Sequence, residues 1–526
     1  MKEGLRQSMA WLHTWAGLVF GWLLFAIWLT GTLAYFKDEI SHWAHPEIPV
    51  SVLDTRASLV GAQAFIDANA ADSPNVYVNL PNHRDPVLGV MYKDPQKTGR
   101  GSFTRALVDT QTGLKQQTRE SRGGEFFYRF HFELQMSYPW GRWLASIAAF
   151  VMFFTLVSGI ITHKKIFKEF FTFRPGKAQR SWLDGHNAIG VLILPFHLMI
   201  SYSSLVIFMT MIMPASIMSS YHGDSEGFFS DVFPSVAPVA ASGENTPLMP
   251  LAELYDQARL QWPDTRISRV ELERPKDGAP TVEFTRDDSE SVAYNYGNNL
   301  VLNAQTGAVL STAHAIPVPM LIGGGFYGLH MGHFAGPLLR WLYFLGGIGG
   351  TALIGTGLVM WLNKRQLKHA KTGVLPFELR LVEVLNLASM AGLLWAIPGF
   401  LLANRLLPVA LQGRSDWEVR VFFGAWLLSL LHALFRRGRK AWIEQLLVAA
   451  LLLALVPLVS ALTTDHGLSR SIAGGDWAIA GVDLTAFAAA LFLLWTSRKL
   501  MKKVTVAKRK PAPQEADVVL ESEAGR

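Results

Sequence analysis

Five histidines, His13, His131, His186, His197 and His330, are the residues of this chain whose type and placement could do chemistry. His13, His186 and His197 lie inside long apolar runs, and His131 and His330 lie just before two others. A strongly polar or ionisable side chain in a bilayer-spanning segment costs roughly 2–3 kcal/mol or more at the centre, and such residues usually mark a pathway or a ligand site. His186 and His197 are eleven residues apart. On one continuous helix, at about 100° and 1.5 Å per residue, that spacing puts both rings on one face, about 16 Å apart along the axis. A neutral imidazole is the commonest metal ligand among side chains. The plainer alternative is that each ring hydrogen-bonds a neighbouring helix.

The elements that must position these rings follow from composition. Of 526 residues, 50% are hydrophobic, with 17 Trp and 32 Phe, and the apolar runs are longer than a soluble core uses. This predicts an α-helical polytopic membrane protein of about eight transmembrane helices. Spans are expected at 1–36, 143–162, 181–213 and 337–362, with four more within 379–497 and a charged tail at 498–526. The loop 163–180 carries six Lys or Arg against one Glu, and basic residues recur at 363–378, at Arg436 to Lys440 and after Arg498. By the positive-inside rule these segments and both termini are cytoplasmic. The first run is too long for a cleaved signal and reads as an uncleaved span. The net charge of +7 reflects these flanking clusters and implies membrane topology and lipid contact, with no nucleic-acid partner.

Two polar segments, 37–142 and 214–336, are the candidates for folded domains outside the membrane. The first reads as a helix near Ala57 to Ala70, strands near Asn75 to Leu80, Pro86 to Tyr92 and Phe103 to Val108, and a turn at Asp109 to Gly113. The second repeats the plan, with a helix at Leu251 to Gln261, strands near Ile267 to Leu272, Thr281 to Thr285, Ser291 to Tyr294 and Leu300 to Leu302, and a turn at Asn303 to Gly307. Two small α+β domains are expected.

The two halves match further. Trp11, His13 and Gly17 correspond to Trp182, His186 and Gly190; Phe130-His131 and Arg142-Trp143 correspond to Leu329-His330 and Arg340-Trp341; Ser158-Gly159 corresponds to Thr356-Gly357. Residues 1–165 and 181–365 therefore read as tandem copies related by a pseudo-two-fold axis along the membrane normal. Such an axis can bring His13 to His186 near one face and His131 to His330 near the other. Opposed imidazoles on adjacent helices suit six-coordinate b-type haem, with Gly17 and Gly190 leaving room for a macrocycle. Satisfied core or interfacial histidines are the competing account. His197 has no counterpart and reads as a substitute ligand for the outer site, His333 as a substitute ligand or substrate-facing group, and His163 as an interfacial anchor.

Other chemistries are not visible. With no cysteine the chain has no disulfide, no thiolate-held iron–sulfur cluster and no covalent c-type haem. There is no HExxH, no P-loop, and no GxGxxG opening a strand–helix unit. No Asp or Glu is central to the first four spans, as a transporter site near mid-membrane would favour.

Over about residues 8–365 the chain resembles the PepSY-associated transmembrane proteins of bacterial inner membranes. The resemblance rests on Leu12-His13 to Gly17, the two Gln-Thr-Gly turns, Gly185-His186-Asn187 through Leu194-Pro195-Phe196-His197, and Leu329-His330-Met331-Gly332. That family includes haem-containing siderophore reductases. The resemblance implies PepSY-like periplasmic domains, two non-covalent haem b groups ligated by His13, His186, His131 and His330, and an oxidoreductase passing electrons outward to a periplasmic ferric siderophore, so releasing ferrous iron. The electron donor is then a quinol or a cytoplasmic reductase. The runner-up is a non-enzymatic, membrane-anchored regulator of a periplasmic peptidase, since PepSY-like domains also resemble protease-propeptide inhibitory modules.

Overall fold

A computed structural model describes residues 4–48, 54–94, 96, 102–163, 174, 179–232, 247–294, 299–311, 316–369 and 374–507. Most of the basic loop 163–180, Lys371 and the tail beyond residue 507 lie outside the described residues. Helix α1 (Leu5–Ala34) is followed by the short α2 (Lys37–Ala44) and then by the first extramembrane unit, α3 (Thr55–Asn69), β1 (Asn75–Asn79), β2 (Leu88–Lys93) and β3 (Phe103–Val108). Helices α4 (Gly123–Glu133) and α5 (Trp140–Thr162) complete the first half. The second half has α6 (Gln179–Leu192) and α7 (Leu194–Ile207), three short helices between Met209 and Val232, and a second unit of α8 (Leu251–Gln261), β4 (Ile267–Glu273), β5 (Thr281–Arg286), β6 (Asn299–Asn303) and β7 (Val309–Ser311). It closes with α9 (Val318–Met331) and α10 (Pro337–His369). Helices α11 (Phe377–Leu406), α12 (Arg414–Phe435), α13 (Gly438–Thr463) and α14 (Trp477–Ala507) form a C-terminal bundle.

Among the described residues seven helices are long and apolar enough to cross a membrane, and α6 with α7 makes an eighth span only as a bent pair. The chain is thus a multi-pass membrane protein, but its third span is broken by 67° between Leu192 and Leu194. The expected straight helix through His186 and His197 does not exist. Pro195 explains the break: it has no N–H to donate and its ring clashes with the preceding turn, so α7 begins afresh with proline in its first turn. The two histidines consequently do not share a helix face.

The two α+β units are joined edge to edge. Their strands form one seven-stranded antiparallel sheet in the order β3-β2-β1-β4-β5-β6-β7. The seam is the β1–β4 pair, from Asn75 opposite Glu273 to Asn79 opposite Arg269, with Tyr77 opposite Glu271 at its centre. Alternation aims Val76, Val78, Val270, Leu272, Val282 and Phe284 to the same face, where they meet Leu59, Phe65 and Ile66 of α3 and Leu251 and Leu254 of α8 in a single core. Each unit alone would leave a row of unpaired backbone N–H and C=O groups along β1 or β4; pairing the two edges satisfies them. Gly113 (φ +68°) and Gly307 (φ +70°) make the two corresponding turns, each in the left-handed region that glycine adopts without steric cost. The segment Ser291 to Tyr294, expected as a strand, is instead bent chain whose Tyr294 N–H donates to the Gly324 carbonyl of α9 at 2.9 Å. That bond ties the second unit to the helix bearing His330.

Candidate functional site

His13 is carried by α1 and His186 by α6; their ring centres are 6.4 Å apart with planes at 81°. His131, near the end of α4, faces His330, near the end of α9, with ring centres 6.1 Å apart and planes at 31°. The first is the distal pair and the second the domain-side pair, because α1 runs from His13 toward the sheet. His131 bonds α1 at Ile27, fourteen residues beyond His13, so the pairs are separated by about 21 Å along that helix at ~1.5 Å per residue.

The hydrogen bonds of the four rings follow one rule. His13 Nδ1 lies 2.8 Å from the Thr155 carbonyl of α5, and His131 Nδ1 lies 2.7 Å from the Ile27 carbonyl. A carbonyl only accepts, so both Nδ1 atoms carry the proton. His186 Nδ1 lies 3.0 Å from Thr356 Oγ1, and His330 Nδ1 lies 2.9 Å from Ser203 Oγ. Thr356 Oγ1 donates to the Leu353 carbonyl at 2.9 Å, and Ser203 Oγ to the Ile200 carbonyl at 3.0 Å. With their protons committed there, these hydroxyls accept from the rings. All four rings therefore carry a proton on Nδ1, and their Nε2 atoms make no hydrogen bond among the described residues.

The same motif stands behind each ring: a carbonyl with a hydroxyl three residues later. Thr155 and Ser158, Leu353 and Thr356, Ile27 and Thr30, and Ile200 and Ser203 occupy equivalent places in the two halves. The duplication therefore persists to the level of single hydrogen bonds. Metal-ligating histidines characteristically donate their second ring N–H to such an acceptor, which fixes ring and tautomer.

These rings fit haem on three grounds. Imidazoles bound on opposite sides of one metal, at about 2 Å per bond, place their ring centres roughly 6 Å apart, as both pairs do. Two imidazoles are too few ligands for a bare ion, and among the described residues no group of three or more His, Asp or Glu converges, so a metal held between the rings would need further donors, such as those a macrocycle supplies. The domain-side pair also opens on a largely apolar cleft lined by Ile27, Trp28, Gly31, Met152, Phe196 and Ile200 as well as both rings, the kind of lining that cofactor sites have.

Glycines give the rings their room. A Cβ on Gly31 would stand 2.5 Å from His131 Nδ1 and Cε1, one on Gly159 would be 3.1 Å from His13 Cε1, and one on Gly357 would be 3.5 Å from His186 Cε1. Gly17 has nothing within 4 Å of such an atom, as space for a macrocycle requires, whereas Gly190 is against Leu353 at 3.4 Å.

His197 is fully buried, its ring edge-on to Trp28 at 5.5 Å, and neither ring nitrogen makes a good hydrogen bond. It is not among the residues lining the cleft, although its neighbours Phe196 and Ser201 are. His163 Nε2 meets Asn187 Nδ2 at 2.8 Å, next to His186. His333 stands on the domain side with its ring 6.5 Å from Tyr327, and burial, with Lys37 nearby, pushes it down to about 4.

Above the cleft, α2 and the turn near Arg84 build a charged rim that sequence reasoning did not single out. Arg84 pairs with Asp38 (3.0 Å) and Glu39 (2.9 Å), Arg340 with Glu39 (3.0 Å) and Lys37 with Glu125 (2.7 Å). Burial, and then the charge of Asp38, push Asp85 up to about 7. Sequence reasoning also passed over Gly31, Ser203 and Trp28. The hydroxyl three residues after each carbonyl was readable in both halves, but nothing in one dimension says which carbonyl a ring will meet.

Comparison with curated proteins returns no match. The model of the PepSY-associated TM region matches residues 10–364, which takes in both histidine pairs, the shared sheet and the first four spans. The chain belongs to the PepSY-associated transmembrane family.

Proposed function

We propose that the protein is a di-haem reductase of the bacterial inner membrane that passes electrons from a cytoplasmic reductase or a quinol to a ferric siderophore in the periplasm. The single observation carrying this reading is that four imidazoles, each tied at Nδ1 to a neighbouring helix, stand in two pairs with ring centres 6.4 and 6.1 Å apart. Haem b bound there supplies one-electron transfer at each pair. His13 and His186 would hold the distal group, and His131 and His330 the domain-side group. Thr155, Thr356, Ile27 and Ser203 orient the rings and raise their basicity by accepting the Nδ1 protons. Met152, Phe196 and Trp28 keep water from the cleft, and the rim of Lys37, Arg84 and Arg340 beneath the shared sheet is where a ferric substrate would approach. Orientation with the sheet in the periplasm and both termini in the cytoplasm rests on the basic loops.

The visible spectrum of the purified protein is the test. Two low-spin haems per chain should give a strong Soret band and split α and β bands on reduction, and His13→Ala and His330→Ala should each remove about one equivalent. A colourless preparation from haem-replete cells sinks the proposal and leaves the peptidase regulator as the better account.

A further inference from the structure

The four C-terminal helices lie beyond the matched region, and the two histidine pairs do not use them as ligand carriers. They nevertheless pack on one of the two domain-side histidine helices, and among the described residues none of their ring contacts or hydrogen bonds reaches the other. Phe126 of α4 stacks on Phe400 of α11 with ring centres 4.7 Å apart and planes at 12°, and meets Phe422 of α12 edge-on at 4.9 Å. Phe130, the residue before His131, packs on Phe422 at 5.6 Å and on Trp426 at 6.2 Å.

The chain leading into α4 is gripped as well. Glu418 of α12 is fully buried; its Oε2 accepts from Ser121 Oγ at 2.9 Å and from the Arg122 N–H at 3.2 Å, while Oε1 accepts from Arg414 Nη1 at 2.8 Å and Asn404 Nδ2 at 2.9 Å. Ser121 Oγ in turn accepts the Gly123 N–H at the first turn of α4, at 3.0 Å. Helix α9, the counterpart carrying His330, has no such cover: Leu321 and Ile322 are about half exposed, and Gly323 and Gly325 have nothing within 4 Å of a built Cβ.

We infer that the C-terminal bundle is a positioning clamp for His131, fixing α4 through the Phe126–Phe400–Phe422 stack and the Glu418 latch on Ser121 and Arg122, while His330 rides on a helix tied to the extramembrane sheet. The inference rests on the haem reading for its spectroscopic consequence. The domain-side pair is thereby built from one ligand anchored in the membrane and one coupled, through the Tyr294 to Gly324 bond, to the domain beneath which substrate would bind. Phe400, Phe422 and Glu418 act through α4 and contact neither ring of the pair.

The test uses the full chain purified with its haem, with Phe422→Ala, the milder truncation Phe422→Leu, and Glu418→Gln. Electron paramagnetic resonance counts the two low-spin signals, and the signal lost in His330→Ala identifies the domain-side group. Phe422→Ala and Glu418→Gln should shift or weaken the domain-side signal alone, and Phe422→Leu should restore it. Both signals unchanged, or both lost together in Glu418→Gln, would overturn the clamp. Hydrogen exchange of α4 and α9 provides a readout that needs no haem: Glu418→Gln should speed exchange in α4 by roughly tenfold and leave α9 alone. A colourless wild-type protein refutes the haem reading only; equal exchange in α4 of wild type and Glu418→Gln refutes the clamp.

Discussion

Alanine at four glycines should separate the residues that make room for the rings from those that do not. At Gly31 the added methyl would sit 2.5 Å from two atoms of the His131 ring, at Gly159 3.1 Å from His13, at Gly357 3.5 Å from His186, and at Gly17 against nothing within 4 Å. Ordinary contact begins near 3.4 Å, so Gly31→Ala forces the ring to move by almost 1 Å, and with it the Nδ1 bond to Ile27 at 2.7 Å. Overpacking of that kind costs about 1–3 kcal/mol, which is a loss of roughly 5- to 150-fold in the affinity of the domain-side group. Gly159→Ala needs a shift of a few tenths of an ångström and should cost under about 1 kcal/mol at the distal group. Gly357→Ala should bind haem normally, and because alanine is the better helix former it should gain up to about 0.5–1 kcal/mol of stability, whereas Gly17→Ala puts a methyl into the space a macrocycle would use and should weaken the distal group. Haem per chain, measured during titration with a competing apo-globin and resolved by the two midpoint potentials, reads the series. Full loading of Gly31→Ala, or a distal defect in Gly357→Ala larger than in Gly159→Ala, would show that the ring positions described here are wrong.

Three further outcomes follow. Ser203→Ala removes the acceptor of the His330 Nδ1 proton and should weaken the domain-side group about 10-fold or more, whereas Ser204→Ala, whose hydroxyl donates only within its own helix to Ile200, should leave haem content unchanged; equal effects would refute the tautomer argument. Asp85 has a folded pKa pushed up to about 7, so between pH 4 and 7 the folded state holds more protons than the unfolded and stability declines as pH rises; Asp85→Asn should flatten the thermal midpoint over that window, and an unchanged slope would contradict it. Val270→Asp places an unpaired charge at the fully buried seam of β1 and β4; limited proteolysis should then open both extramembrane units together, and selective loss of the second would mean that the two do not share a core.

Much of the architecture is one-dimensional information. Spans are long apolar runs because lipid offers no partner to backbone polar groups, so α1 and α5 could be placed to within a few residues from composition alone, while α10 starts where expected and runs past 362 to His369. The duplication is legible as matching triplets around His13 and His186, and it implies an axis, from which the facing of equivalent rings follows by symmetry. Strand period and turn glycines located β3 and α8 to the residue. Where local pattern misled, a nearby contact had won: Ser291 to Tyr294 has strand-like residues, but its backbone is taken by α9 rather than by a strand.

The sequence by itself determined that this is a duplicated, multi-pass membrane protein with histidines at equivalent depths, since apolar length, repeat spacing and proline or glycine punctuation are all written along the chain. Only the tertiary structure decided that both extramembrane units share one sheet, that each Nδ1 finds its acceptor on a different helix, and that the last four helices pack on α4. Those outcomes depend on atoms of residues a hundred or more positions apart meeting within a few ångströms, and no local period or spacing carries that distance.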